Sequence, residues 1–337
     1  MNSTITLWKI TTDKTLDEIA SRLLSVPGRE IVPEWNNDGP LIELQKNTQE
    51  LGTVTDIHTL AFNKNSYRYI SFNIYMERKK RKDNWYNTDG ELKEHRDRVT
   101  VYQSNMIIYE NGNELFLMAF AAKTTVNKIA KYAFEDKDVF NIIEQSLNVS
   151  EDMFYWILKA LRDYPGEQLH RMVDITPTGL WGYFGKTLDG NNSIRAEGQR
   201  ILAVLGTLAV IFSSEELKAV KPEFQKDGQV VVVEINLNNS LKIDDSYCLG
   251  SYFNIYSSQE QVQQRINVIG MYTINIIIPQ MIIAYENSVQ DKTWSKQLKI
   301  DFISSMGAEI KRRVELELES LKRDEDADED CDEENNY

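Results

Sequence analysis

The stretch Arg98–Ala121, RVTVYQSNMIIYENGNELFLMAFA, decides the fold class. Asn111-Gly112 provides the two-residue turn with positive φ that joins antiparallel strands. It is flanked by Arg98 to Tyr109 and Glu114 to Ala121, both rich in β-branched and aromatic side chains, and this is the strongest hairpin signal in the chain. Just upstream, Tyr67 to Met76 places Ile70, Phe72, Ile74 and Met76 on one face at a period of two, as a half-buried strand requires. Ile5 to Ile10 and segments near 41–45 and 54–62 read as further strands. Thr15-Leu-Asp-Glu18 has the spacing of a capping box, so a helix is predicted from there to about Val26, stopped by Pro27-Gly28. Residues 1–122 therefore read as a sheet-rich α+β domain.

Five consecutive cations, Arg78, Lys79, Lys80, Arg81 and Lys82, follow directly on the Tyr67–Met76 strand. They open a connection over 78–97, RKKRKDNWYNTDGELKEHRD, far longer than a hairpin needs. Trp85 and Tyr86 stand beside them. Cations neutralise phosphates and an exposed ring stacks on a base, so this loop is the candidate contact for DNA or RNA. Two other readings stay open: solubilising cations beside an edge strand, and an import signal in a eukaryotic source.

The formal net charge is −14, but 324–334, DEDADEDCDEE, carries nine carboxylates and no base, so the rest of the chain sums to only −5. Such a composition buries too little apolar surface to offset chain entropy, and the chain after about Lys322 is expected to lack order. It reads as a solubilising tail, or as a nucleic-acid mimic that competes for the basic loop.

From Thr124 the period turns helical. One helix carries Val126, Ile129, Ala130 and Ala133, a second Val139, Ile142, Ile143 and Leu147, and a third runs from Ser150 to Asp163, where Pro165-Gly166 stops it. The Gly-, Asp- and Asn-rich stretch 173–196 reads as a linker. The later half alternates: a helix over 196–212, a capping box at Ser213–Glu216 opening another, a buried strand over Gln229–Leu237 containing VVVVEI, and a second strand over 247–256. A long helix follows, capped at Ser257–Glu260 and interrupted at Pro279, and then a charged helix over about 293–322. The expected organisation is 1–122, a helical segment 123–185, a mixed domain 186–322 and the tail 323–337.

Function classes narrow by what is missing. Cys248 and Cys331 are the two cysteines, which excludes a disulfide framework or a cysteine zinc site and points to a cytoplasmic protein. The first residues show no secretion signal. The apolar run 266–285 carries Asn267, Thr273, Asn275, Pro279 and Gln280, so a core helix is expected rather than a membrane span. Gly179-Leu-Trp-Gly-Tyr-Phe-Gly-Lys-Thr187 resembles a P-loop only superficially: the glycine spacing is wrong and bulky rings fill the turn, so the rings are expected to pack a turn against the core. His58, His95 and His170 are scattered, and no cofactor is implied.

For a divergent metal-dependent nuclease, the carboxylates to inspect are Asp301 and Glu309, with Lys311, and Asp174, Glu234, Asp244 and Asp245. Their ordinary reading is solvated turns and strand ends. The Asn-, Ile-, Lys- and Tyr-rich composition suits a low-GC bacterium or mobile element, where proteins of this size often serve accessory roles such as antiviral defence. The leading expectation is an intracellular nucleic-acid-associated α+β protein. The alternative is an assembly subunit with a protein partner or a second copy on the C-terminal helix.

Overall fold

The computed structural model describes residues 2–23, 29–33, 41–50, 56–135, 139–187, 193–198, 214–256 and 258–333. In chain order the elements begin with β1 (Asn2–Thr11), α1 (Leu16–Leu23), β2 (Arg29–Pro33), β3 (Leu41–Glu50), β4 (His58–Phe62) and β5 (Asn65–Lys79). Next come α2 (His95–Arg98), β6 (Val99–Asn111), β7 (Glu114–Ala119), α3 (Lys123–Ile129), β8 (Asn141–Glu144), α4 (Glu151–Asp163) and β9 (Thr176–Thr187). The rest are β10 (Ser193–Glu197), β11 (Ser214–Lys226), β12 (Gln229–Asn236), β13 (Ser240–Asp244), α5 (Ser251–Asn254), α6 (Val262–Tyr272), α7 (Ile278–Gln290) and α8 (Lys296–Glu333). The protein is α+β. It divides into two compact units, residues 1–147, 238–245 and 256–272 in one, and 148–237, 246–255 and 273–337 in the other.

The first unit is built on an antiparallel sheet in the order β2-β3-β5-β6-β7-β1-β13, with β4 added to β5 and β8 to β1. β5, β6 and β7 pair as the alternation predicts, Ile70 facing Ile108 and Asn111 facing Glu114; the two-residue turn is Gly112-Asn113, one position later than the Asn111-Gly112 read from the sequence, with φ of 64° at Gly112. Ile70, Phe72, Ile74 and Met76 are buried, and their face packs with α1 and α3 residues Leu16, Ile19, Val126 and Ile129. The capping box holds α1: the Thr15 amide donates to the Glu18 carboxylate at 2.7 Å and the Glu18 amide to Thr15 Oγ1 at 3.3 Å. α6 carries a buried polar network. Asn105 donates to Asn267 at 2.7 Å, and Asn267 donates to Ser71 Oγ at 2.8 Å.

The second unit pairs its strands antiparallel as β10-β9-β11-β12. β12 is buried through Val231, Val232, Val233 and Ile235, and Asp227-Gly228, with φ of 50° and 72°, turns β11 into it. α4 begins on its cap, Met153 N donating to Ser150 Oγ at 3.3 Å. Gly250 has φ of 140°, and a Cβ on it would lie 2.1 Å from Gln229 Oε1 and 3.0 Å from Gln229 Cα. Gly250→Ala should therefore destabilise the protein by about 2–3 kcal/mol, since both backbone strain and a backbone clash oppose it. A urea midpoint equal to that of the parent would show that this turn tolerates a side chain.

Several sequence expectations need correction. Residues 141–144 form β8 on β1, with Trp8 facing Glu144, instead of part of a second helix. Four residues around Ile142-Ile143 fit either period, and an available strand edge decides. Within the stretch read as a linker and turn, Thr176–Thr187, which includes Gly179–Thr187, is strand β9. Gly182 lies against β10, where an added Cβ would come 3.0 Å from the Ala196 carbonyl. Ser213–Glu216 opens no helix, because β11 starts at Ser214 and Leu217, Ala219 and Phe224 are buried along it. Of the strand expected over 247–256 only one antiparallel bridge forms, Leu249 to Val230 on β12, and the helical turn α5 follows it; the strand nearby is β13, paired with β1.

The helix expected over 196–212 lies, from residue 199, outside the described residues, and Ser193–Glu197 is β10. Val262–Gln290 is long and apolar enough to cross a membrane by length and composition, and 72% of its apolar 18-residue window is buried. Thr273–Ile277 widens to a π turn just before Pro279, whose missing amide an α-helix cannot accommodate without adjustment. α8 runs over Lys296–Glu333.

Candidate nucleic-acid interface

β5 continues through the first two cations, Arg78 opposite Thr100 and Lys79 opposite Val99 on β6. Successive strand residues point to opposite faces, so these two cations leave the sheet on opposite sides. The ladder runs one step further: Lys80 N donates to Arg98 O at 2.8 Å, and the Lys80 ammonium donates to Asp97 O at 2.9 Å. Lys82–Asn84 then make one 3₁₀ turn, closed by Asn84 N donating to Arg81 O at 3.0 Å. Lys79 and Arg81 are exposed, and Arg78 and Lys80 are half-buried. The Lys82 side chain lies outside the described residues.

Trp85 corrects the sequence reading. Its ring is 0% exposed and packs with Ile42, Leu44 and Val99, so it is not available to stack on a base. Its Nε1 donates to Lys80 O at 3.0 Å, and the Arg98 guanidinium lies 5.2 Å from its ring centroid. The loop thus has a small core of its own. Tyr86, which packs on that core, is half-buried.

The return strand of the loop is a miniature hairpin. Tyr86 bridges Leu92, and Asn87 Oδ1 accepts from Asp89 N at 3.0 Å and Glu91 N at 2.8 Å, an Asx turn completed by Gly90 with φ of 80°. Lys93 N donates to Trp85 O at 2.8 Å, which places Lys93 beside Lys80. The two line a groove of about 530 Å³ with Asn84, Asp97 and Thr100. Lys93 was missed in the sequence because it lies eleven positions beyond the basic run. The Asp89-Gly90 turn was the available signal. At the base of the loop the buried Glu77 carboxylate accepts from Tyr75 at 2.9 Å and lies 3.0 Å from His95 Nε2. Burial first, and this hydrogen bond second, raise the pKa of the Tyr75 hydroxyl above its ordinary value.

The carboxylates considered for a nuclease have other partners. Glu234, buried on β12, meets Arg195 at 2.7 Å, and Asp174 lies 3.9 Å from Lys226. Asp245 engages Arg265 through its backbone oxygen, at 3.1 Å. Glu309 on α8 accepts from Arg312 at 2.8 Å and Arg313 at 2.6 Å, and these hydrogen bonds hold its carboxyl down to about 2. Among the described residues no three His, Cys, Asp or Glu side chains are grouped to hold a metal ion. His58 lies beside Tyr69, and His170 hydrogen-bonds Asp291 at 3.2 Å. No protein-family model matches the chain, and comparison with curated proteins finds no match.

Proposed function

We propose that the protein binds DNA or RNA through the loop between β5 and β6, by phosphate contacts and without sequence readout. The observation that carries this reading is the groove in which Lys80 and Lys93 lie together, with exposed Arg81 next in the chain. Anchoring by Trp85 fixes the backbone that presents these cations, which lowers the ordering penalty on binding. With Trp85 in the core, stacking falls to Tyr86 alone and phosphate neutralisation dominates. In this reading the protein works in the cytoplasm, in an accessory role such as antiviral defence. The test is a salt titration of binding to a labelled duplex, with Arg78 to Lys82 replaced by Ser as the control. Binding that ignores salt, or survives the replacement unchanged, refutes the proposal.

A second reading rests on α8, where Val314, Leu316 and Leu318 are 43%, 50% and 52% exposed. In this reading the outer half of the helix holds a second copy or a protein partner. Deleting everything after Arg313 should then abolish any concentration-dependent rise in mass measured by light scattering. A cut near residue 293 is the wrong test, because it also removes buried Trp294, Phe302 and Met306. A full-length chain that is monomeric across a hundredfold range of concentration, roughly 1 to 100 μM, would dispose of the self-assembly version.

A further inference from the structure

The groove of the β5–β6 loop contains one group that phosphate binding does not need. Lys80, Asn84, Lys93, Asp97 and Thr100 line it, so an acidic residue stands among the cations. Against a bare phosphate backbone a carboxylate only repels. Glu94, three positions earlier, is paired with Arg96 at 3.0 Å. Asp97, by contrast, is exposed, and its carboxylate has no hydrogen-bond or ion-pair partner among the described residues.

The backbone of Asp97 ties this carboxylate to a cation. Asp97 N donates to Glu94 O at 3.0 Å, which fixes the residue in α2, and its carbonyl accepts from the Lys80 ammonium at 2.9 Å. One residue therefore both holds the Lys80 charge and carries the carboxylate. An ammonium has three N–H groups, so two on Lys80 remain for phosphate oxygens. The Lys93 side chain, half-buried, has no partner among the described residues, and neither has the exposed Asn84 amide or the Thr100 hydroxyl. The groove thus offers two cations, one carboxylate and two groups that donate or accept.

A ribonucleotide presents the matching chemistries side by side. Its 2′-hydroxyl, a hydrogen-bond donor, sits on the carbon next to the one whose 3′-oxygen carries the phosphate, and deoxyribose has no such donor. On RNA the carboxylate accepts a charge-assisted hydrogen bond; on DNA it meets phosphates with nothing to accept. We propose that this groove selects RNA over DNA, with phosphate held by Lys80 and Lys93 and the neighbouring 2′-hydroxyl donating to the Asp97 carboxylate. The inference rests on the loop reading above and narrows its ligand from nucleic acid at large to RNA.

The test measures fluorescence anisotropy of labelled single-stranded oligoadenylate with the full chain, the strand supplied as RNA, as DNA and as 2′-O-methyl RNA at fixed salt. Single strands remove the difference between A-form and B-form duplexes. RNA should bind about tenfold tighter than DNA, and the 2′-O-methyl strand, which keeps the oxygen and loses the proton, should bind like DNA. Asp97→Ala removes the carboxylate and keeps the carbonyl that holds Lys80. It should weaken RNA binding by roughly fivefold and tighten DNA binding by roughly twofold, so that the preference disappears. A damaged fold cannot move the two strands in opposite directions. Equal binding of RNA and DNA, a 2′-O-methyl strand that binds as tightly as RNA, or a preference that survives Asp97→Ala overturns the proposal. Salt-dependent binding without the preference sinks this inference and leaves the loop reading standing, whereas absence of binding to either strand sinks both.

Discussion

Affinity for a DNA duplex should fall roughly 40-fold when salt rises from 50 to 200 mM, and with Arg78 to Lys82 replaced by Ser only the roughly 3.5-fold fall that Lys93 alone supports should remain. Five cations acting as one block would give a log–log slope near −4.5 and a loss of about 500-fold over the same range. The structure argues for the smaller figure. Arg78 and Lys79 occupy adjacent positions on β5 and diverge to opposite faces, whereas Lys80, Arg81 and Lys93 lie at the groove and tip. Three neutralised phosphates give a slope near −2.7 on duplex and near −2.1 on single strands. Fluorescence anisotropy at four salt concentrations separates these cases. A slope near −4.5 would mean that the strand twists enough to bring all five cations to one backbone, and a slope near zero would remove phosphate binding altogether. Lys93→Ser should reduce the slope by about 0.9, although it lies outside the basic run.

Replacing Trp85 by Ala should cost about 3–5 kcal/mol of stability and weaken nucleic-acid binding without removing a charge. The ring is fully buried against Ile42, Leu44 and Val99, and its loss opens a void that Tyr86 alone cannot fill. It also leaves the Lys80 carbonyl without the indole donor, in the residue whose ammonium lines the groove. Trp85→Phe keeps most of the packing and loses the hydrogen bond, so about 1–2 kcal/mol is expected. Urea unfolding of both variants, alongside binding at fixed salt, is the measurement. Were Trp85→Ala as stable as the parent and equally tight, the ring would not be the anchor of the loop.

Much of the first sheet could be read because its signals are local. β5, β6 and β7 alternate over many residues, and the Gly112-Asn113 turn fixes the β6–β7 register without any distant partner. The two capping-box patterns show where local reading stops. Thr15-x-x-Glu18 is followed by Ile19, Ala20 and Leu23, buried at helical spacing, and α1 forms. Ser213-x-x-Glu216 is followed by Leu217, Ala219 and Phe224 at even and odd steps broken by bulges, and Pro222 sits in their midst, so a strand forms. The box alone cannot separate the two outcomes; the period of the apolar residues downstream of it can.

The candidate site was legible in its cations and illegible in its support. Trp85 in a charged loop reads as exposed because its partners Ile42 and Leu44 lie about 40 positions earlier, on β3. Lys93 reaches Lys80 only through the Asx-turned hairpin.

The return of the chain to its first unit, at 238–245 and again at 256–272, has a consequence for synthesis. β1 ends at Thr11, and its partner β13 begins at Ser240. At ribosomal rates of about 5–20 residues per second, the β1 edge that β13 will occupy waits roughly 10–45 s for its mate. During that interval the nascent sheet presents an open ladder next to β7, a template for any passing strand. Chaperone occupancy on ribosome-bound chains should therefore persist until residues beyond about 245 have emerged, and fall only then.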